Sequence, residues 1–248
     1  GSGKTYQASN AIIELLKKNK KIAVTANSHK VIHTLLEKVE NLASKQKYIF
    51  KGLKKGNPDD PDTFYDGKFV KTDRNEKHYI DGLKENKILL YAGTKYHLSQ
   101  WYYQNELDYL FVDEASQISV ADLVALGGIT KNIILIGDQM QLGQPTQGSH
   151  PGESGCSVLD YLLEGKDTIA DNKGIFLNKT YRLHPKINSF ISENFYEDRL
   201  LANQENINRK IEYKKNSIIK LEGIHTISMN HEDRSQQSIE EFEIIKKI

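Results

Sequence analysis

Residues 110–117 read Leu-Phe-Val-Asp-Glu-Ala-Ser-Gln, an apolar run that ends directly in two acidic residues. Three other short apolar runs in the first two-thirds of the chain also end in small or polar residues; they are Ile22–Val24, Ile88–Tyr91 and Ile133–Ile136. Continuous apolar strands that alternate with helical segments are typical of a parallel sheet covered on both faces. The sequence therefore predicts an α/β fold with a parallel sheet.

The polar residues after these runs predict a ligand site, because ligands of open α/β sheets bind at the carboxyl ends of the strands. Asp113 and Glu114 follow one run directly. A carboxylate there can hold Mg²⁺, usually through water, and a second can orient a water that attacks a phosphate. A solvated acidic loop is the alternative, and the apolar run leading straight into both carboxylates disfavours it.

The chain begins with the second half of a phosphate-binding P-loop, GxxxxGK[ST], formed by Gly1, Ser2, Gly3, Lys4 and Thr5. In such a loop, backbone N–H groups surround phosphate oxygens, the lysine reaches the β- and γ-phosphates and the threonine hydroxyl binds Mg²⁺. Gly-Ser-Gly is also a common linker sequence. The linker explanation is weakened because a predicted helix follows at once, with apolar residues at Ala8, Ile12, Ile13, Leu15 and Leu16.

Composition bounds the class of protein without identifying a partner. With 38% apolar and 27% charged residues, the 248-residue chain is typical of globular proteins, and no run of about 18 apolar residues predicts a membrane span. The net charge of +1 gives no overall basic signature of nucleic-acid binding, so such a surface must be local. The single cysteine, Cys156, fits a reducing compartment, and we expect a cytoplasmic protein.

Several motifs in a fixed order carry a resemblance to a known family. VDEASQ (112–117), GDQMQL (137–142) and TYRLHP (180–185) resemble motifs II, III and IV of superfamily 1 helicases. YRLHPKINSFISENFYEDRL (181–200) is most similar to the Upf-like branch, and TANSHKVIHTLL (25–36) resembles motif Ia. The resemblance implies a P-loop RecA-like domain followed by a second RecA-like domain, with ATP and Mg²⁺ bound in the cleft between them.

The resemblance also implies roles for matching residues. Asp113 matches the aspartate associated with Mg²⁺, and Glu114 matches the residue that activates water. Gln141 matches a glutamine that senses the γ-phosphate, although taken alone it would be read as a surface residue. Arg182 matches an arginine finger that the second domain supplies, and Tyr181 an aromatic residue that stacks on adenine. A structural role for Tyr181 and Arg182 at the start of a helix is the alternative explanation. The two roles are compatible, because such a helix would position the arginine.

In the family, motif Ia and a Gly-Thr segment contact the nucleic-acid backbone. This implies contacts from Thr25, Asn27, Ser28, Gly93 and Thr94 with a single-stranded or partly duplex nucleic acid. A narrower resemblance of residues 137–163 to bacterial proteins that join a RecB-like nuclease to this helicase favours DNA over RNA. It also implies a nuclease domain N-terminal to the chain given.

We predict a first RecA-like domain over residues 1–150, a linker over 151–172 and part of a second RecA-like domain over 173–248. Residues 45–86 are expected to be an insertion between strands. The basic and aromatic residues of this insertion are able to hold a single strand, but interspersed aspartates favour a solvated, partly mobile segment. Motifs V and VI are not included, so we expect the complete protein rather than this segment to carry full activity.

The ordered motifs predict an ATP-dependent helicase or translocase that hydrolyses ATP to move along or unwind DNA. An ATP-driven nucleic-acid-binding switch that remodels ribonucleoprotein complexes has the same motifs and stays open as the alternative. An inert structural fragment is a weaker third possibility. A small-molecule kinase with a P-loop is disfavoured, because GDQMQL and TYRLHP have no role in one.

Overall fold

The computed structural model describes residues 1–141, 143, 148, 150–212, 217, 219, 222–230, 232 and 235–247. The chain divides into two compact units. One comprises Gly3–Ile169, and the other comprises Gly1–Ser2 together with Ala170–Ile248. None of the helices in the described part of the chain combines the length and apolar character that a membrane span requires.

A six-stranded parallel sheet forms the centre of the unit Gly3–Ile169. Its strands are β1 (Ile22–Thr25), β2 (Gly52–Lys55), β3 (Val70–Asp73), β4 (Leu90–Ala92), β5 (Tyr109–Asp113) and β6 (Ile133–Ile136). Their order in space is β3-β2-β4-β1-β5-β6, and every neighbouring pair is parallel. The prediction of an α/β fold with a parallel sheet is therefore confirmed.

Helices and two short 3₁₀ turns, Trp101–Tyr103 and Ala115–Gln117, connect the strands. The helices are α1 (Lys4–Lys17), α2 (His29–Lys45), α3 (Glu76–Glu85), α4 (Lys95–Leu98), α5 (Val120–Leu126) and α6 (Val158–Leu163). Along β1, Ile22 and Val24 join one buried apolar cluster and Ala23 joins another. Because successive side chains of a strand point to opposite faces, the sheet has a core on each face.

Residues 45–86 contribute to this core rather than forming a separate solvated insertion. They supply β2, β3 and α3, and Phe50, Tyr65 and Val70 are buried in the core. The segment is also attached to α2 through Glu40, whose carboxylate accepts hydrogen bonds from it. The donors are the hydroxyl of Tyr65 and the backbone N–H groups of Lys68, Phe69 and Val70.

The unit that contains Ala170–Ile248 has a small two-stranded parallel sheet. Its strands are β7 (Lys179–Thr180) and β8 (Leu201–Ala202), and its helices are α7 (Pro185–Phe195) and α8 (Ile239–Ile245). The 3₁₀ turn Gln204–Asn208 follows β8. Pro185 opens α7, where its missing N–H costs no hydrogen bond. Asn188 and Ser192 of α7 are buried and bond the backbone of Leu200, which fixes the helix beside β8.

Candidate functional site

The start of α1 presents the predicted phosphate-binding residues Lys4 and Thr5. Gly3, just before the helix, has a φ of 88°, in the left-handed region that favours glycine, and its carbonyl accepts from the N–H of Gln7 at 3.0 Å. The first turn of α1 carries no acidic side chain. Its N–H groups and the positive end of the helix dipole therefore suit a phosphate.

Lys4 has a partner at the end of β6. Its Nζ lies 3.7 Å from Oδ2 of Asp138, and the two side chains are 22% and 16% exposed. The same oxygen accepts a hydrogen bond from Nε2 of Gln141 at 2.8 Å. Asp138 therefore connects the P-loop lysine to the glutamine predicted to sense the γ-phosphate. Asp138 could be recognised from the sequence only by its position in GDQMQL. Leu142 of that motif lies outside the described residues.

Asp113 is the last residue of β5, and Glu114 follows it directly. Burial raises the pKa of the Asp113 carboxyl, and the Glu114 charge acts in the same direction. The hydrogen bond from the Glu114 N–H, at 3.0 Å, and the charge of Lys4 lower that pKa. Glu114 has a φ of 51°, which is uncommon for a residue with a side chain and costs about 1–3 kcal/mol. The two carboxylates are thus carried by consecutive residues, and the second of these has a strained backbone.

The donors at this edge suit Mg²⁺. Within the described ranges, no three or more His, Cys, Asp or Glu side chains form a group that could hold a metal ion. Mg²⁺ beside a nucleotide keeps waters and phosphate oxygens and takes only one or two protein ligands. The Thr5 hydroxyl and the desolvated Asp113 carboxylate match that small set, and a dication would offset the cost of burying the Asp113 charge.

The residues predicted to contact nucleic acid lie at the carboxyl ends of β1 and β4, which are neighbours in the sheet: Thr25 is the last residue of β1, and the others follow the two strands. Asn27 and Ser28 are exposed, and Thr94 is partly exposed at the start of α4. Gly93 is buried and has no side chain with which to contact a ligand. Thr25 is also fully buried, and in the described structure its hydroxyl has no hydrogen-bond partner. A contact through Thr25 would therefore require this side chain to be uncovered.

One side-chain contact connects this edge to the carboxylates. Nδ2 of Asn27 lies 3.5 Å from Oε1 of Gln117, at the outer limit of a hydrogen bond. Gln117 closes the 3₁₀ turn that follows Glu114 directly. From the sequence, Gln117 could be recognised only by its place in VDEASQ. The contact itself joins two residues that are 90 positions apart in the chain.

Tyr181 and Arg182 follow β7, and both are exposed. Nη2 of Arg209 donates to the carbonyl of Tyr181 at 3.0 Å, and Nζ of Lys179 lies 5.7 Å from the centre of the Tyr181 ring. The Tyr181 N–H donates to the carbonyl of Gly1 at 3.0 Å. One unit thus contains Lys4, Thr5, Asp113, Glu114, Gln141 and the predicted nucleic-acid contacts, and the other contains Gly1, Ser2, Tyr181 and Arg182.

Comparison with known protein families connects this arrangement to helicases. Residues 1–137, more than half of the chain, match the family model described as "RNA cytidine acetyltransferase NAT10/TcmA, helicase domain". Residues 156–247 match the model described as "AAA domain". The chain belongs to the superfamily 1 helicases of the Upf-like branch. Its α/β unit with a six-stranded parallel sheet is consistent with this membership.

Three curated relatives are similar in sequence to this helicase segment, one over most of its length and two over about two-fifths of it. The "DNA replication ATP-dependent helicase/nuclease dna2" of Schizosaccharomyces pombe is 27% identical over 85% of the chain and 15% of the relative. The "DNA polymerase alpha-associated DNA helicase A" of the same organism is 33% identical over 40% of the chain and 14% of the relative. The "Probable helicase MAGATAMA 3" of Arabidopsis thaliana is 32% identical over 38% of the chain and 11% of the relative.

The chain therefore spans no more than 15% of the length of these relatives. The nuclease fusion implied by residues 137–163 concerns sequence outside this helicase segment and stays a prediction.

Proposed function

We propose that this helicase segment is the ATP-binding part of a motor that hydrolyses ATP to move along or unwind DNA. The proposal rests on one observation, the shared sheet edge. Asn27 follows β1 and Thr94 follows β4, while in the same sheet β5 ends in Asp113 and β6 ends just before Asp138. A strand of nucleic acid and a nucleotide bound there would touch one rigid element, so binding of one can influence the other.

In this proposal each residue at the phosphate end has a distinct task. Lys4 leaves Asp138 and binds the β- and γ-phosphates, together with backbone N–H groups of Gly1–Gly3. Glu114 accepts a proton from the attacking water and orients it, and Gln141 bonds the water and the γ-phosphate. Thr5 and Asp113 would hold Mg²⁺, which when bound neutralises charge on the phosphate oxygens.

The second unit would complete the reaction. Arg182 offers a permanent positive charge for the transferred phosphoryl group, and Tyr181 a ring for the adenine. Both side chains are exposed, which supports roles that require contact with a ligand. The compact unit Gly3–Ile169 supports a first RecA-like domain that extends past residue 150 to include α6, with the second beginning near residue 170.

DNA is the polymer that we propose, because two of the relatives are named as DNA helicases. RNA is the alternative, since the family model matched by residues 1–137 is named for an enzyme that modifies RNA. Cys156 is a free thiol, which supports a reducing cytoplasmic location.

ATP hydrolysis by the complete protein tests the proposal. The rate should rise with single-stranded DNA, and Lys4→Ala should abolish that rate. Lys17→Ala, an exposed lysine at the far end of α1, is the matched control and should behave like wild type. If only RNA stimulates ATP hydrolysis, RNA rather than DNA is the polymer on which the protein acts. If neither polymer stimulates it, the proposal of a nucleic-acid motor is wrong.

A strand-displacement assay separates the motor from the alternative. A nucleic-acid-binding switch would hydrolyse ATP and leave a duplex intact, whereas the proposed helicase would separate its strands.

A further inference from the structure

Two large aromatic side chains are exposed directly after the predicted nucleic-acid contact at Thr94. Tyr96 in α4 is 73% exposed, and Trp101 in the following 3₁₀ turn is 72% exposed. The next two residues, Tyr102 and Tyr103, are instead buried at 7% and 0%. Tyr102 and Tyr103 therefore anchor this turn in the core, and the core does not require the ring of Trp101.

Side-chain hydrogen bonds hold the backbone between the two exposed rings. Oγ of Ser99 and Nε2 of Gln100 both donate to the carbonyl of Tyr96, at 3.2 and 3.0 Å. The Trp101 ring meets the ring of Tyr102 edge-on, with centroids 5.7 Å apart and an angle of 84°. Trp101 is thus held against an anchored neighbour while most of its surface stays in solvent.

The charges beside the pair are balanced. Nζ of Lys95 lies 5.4 Å from the centre of the Tyr96 ring, and it also pairs with Oδ2 of Asp122 at 2.5 Å. The exposed part of this surface therefore consists mainly of aromatic rings, and the positive charge of Lys95 is balanced by Asp122. Such a surface suits the face of a nucleobase, which stacks on aromatic rings in proteins that bind single strands, better than it suits a phosphate.

We propose that Tyr96 and Trp101 form a stacking surface for unpaired bases of a single strand whose backbone lies at Thr94. This inference rests on the proposed function and adds residues that determine how the strand is held. Trp101 is seven positions after Thr94 in the chain, so the two residues lie at most about 25 Å apart. That length is at most about seven base steps of a DNA strand. One strand can therefore reach both places.

The intrinsic fluorescence of the chain tests the stacking directly, because Trp101 is its single tryptophan. Titration with oligothymidylate or oligouridylate of about twelve nucleotides should quench this fluorescence, in parallel with binding followed by the anisotropy of a labelled oligonucleotide. Trp101→Ala should weaken binding by about 5- to 100-fold, and Tyr96→Ala should weaken it in the same direction. Trp101→Phe keeps an aromatic face and should retain most of the affinity.

The salt dependence distinguishes stacking from a charge effect. Trp101→Ala removes no phosphate contact, so the slope of log affinity against log salt should equal that of wild type. Ile49→Ala is the matched control, because Ile49 is 79% exposed and precedes β2 at the amino end of the sheet. Circular dichroism and thermal unfolding should show that all variants fold like wild type.

Three results would overturn the proposal. The first is wild-type binding with neither quenching nor an effect of Trp101→Ala, which leaves the proposed function intact. The second is a dimer in light scattering that Trp101→Ala dissociates without changing oligonucleotide affinity, which would assign the surface to a second copy of the chain. The third is no binding by the wild-type chain, and the stimulation of ATP hydrolysis described above then decides the proposed function separately.

Discussion

Nζ of Lys4 lies 3.7 Å from Oδ2 of Asp138, and that oxygen also accepts a hydrogen bond from Gln141. The P-loop lysine therefore has a protein partner with which the phosphates of a nucleotide must compete. The same carboxylate orients the side chain predicted to meet the γ-phosphate. One residue at the end of β6 can thus influence both the binding of ATP and its hydrolysis, in opposite directions.

For Asp138→Asn in the complete protein, we expect tighter ATP binding and slower hydrolysis. Loss of the carboxylate charge releases Lys4, and a partly exposed ion pair is worth about 1 kcal/mol, so the Kd should fall by up to about fivefold. Gln141 loses a charged acceptor and its orientation, so kcat should fall. Nucleotide titration and steady-state ATPase rates measure the two effects.

Asp108→Asn is the control for Asp138→Asn, because Asp108 pairs with Lys20 at the other end of the sheet. It should change neither quantity. Weaker ATP binding by Asp138→Asn would contradict the competition and would assign Asp138 to direct support of the bound nucleotide.

Glu114→Gln should retain ATP binding and hydrolyse ATP about 10²- to 10⁴-fold more slowly, because an amide cannot accept the proton of the attacking water. Glutamine has the shape of glutamate, so the left-handed turn at this position should persist. Glu106→Gln, which removes an exposed carboxylate paired with Lys21, is the control. An unchanged kcat in Glu114→Gln would reject Glu114 as the group that activates water.

The strands that carry the motifs could be predicted from the sequence, and two others could not. The runs that became β1, β4, β5 and β6 are apolar throughout, which is typical of strands in a sheet covered on both faces. The sequences of Gly52–Lys55 and Val70–Asp73 are largely polar, and they are strands because of tertiary contacts. Lys54 illustrates this: its side chain is fully buried, and its Nζ donates to the carbonyl of Thr63.

The contacts within the candidate functional site also depend on tertiary structure and could not be predicted from the sequence. Motif spacing indicated Lys4, Asp113 and Glu114 individually. The contacts of Lys4 with Asp138 and of Asn27 with Gln117 join residues far apart in the chain. They depend on the order of the strands in the sheet, which no local pattern specifies.

Glu40→Gln should lower the free energy of unfolding by about 2–3 kcal/mol. The Glu40 carboxylate is 8% exposed, and it accepts from the Tyr65 hydroxyl at 3.1 Å and from three successive N–H groups at 2.7–3.0 Å. Glutamine would place an N–H₂ group against one of these donors. Urea unfolding measures the change. Glu37→Gln, on the exposed side of α2, should stay within about 0.5 kcal/mol of wild type, and equal effects of the two variants would contradict this role.

Acid should destabilise the unit Gly3–Ile169 through His97. Burial lowers the pKa of His97 to about 3, and the charge of Lys55 acts in the same direction. An unfolded histidine has a pKa of about 6.5, so between these values the unfolded chain binds more protons than the folded chain. The stabilising contribution of a neutral His97 is therefore complete above about pH 6.5 and is lost as the pH falls toward 3.

His97→Gln should make the free energy of unfolding less dependent on pH in this window, since glutamine does not titrate but can still bond the Tyr103 hydroxyl, which lies 2.8 Å from Nε2 of His97. Some dependence should remain, because burial also lowers the pKa of His33 to about 4. Urea unfolding at several pH values measures the slope, with His150→Gln, an exposed position, as the control. A slope in His97→Gln equal to that of wild type would show that His97 is not the group through which acid acts.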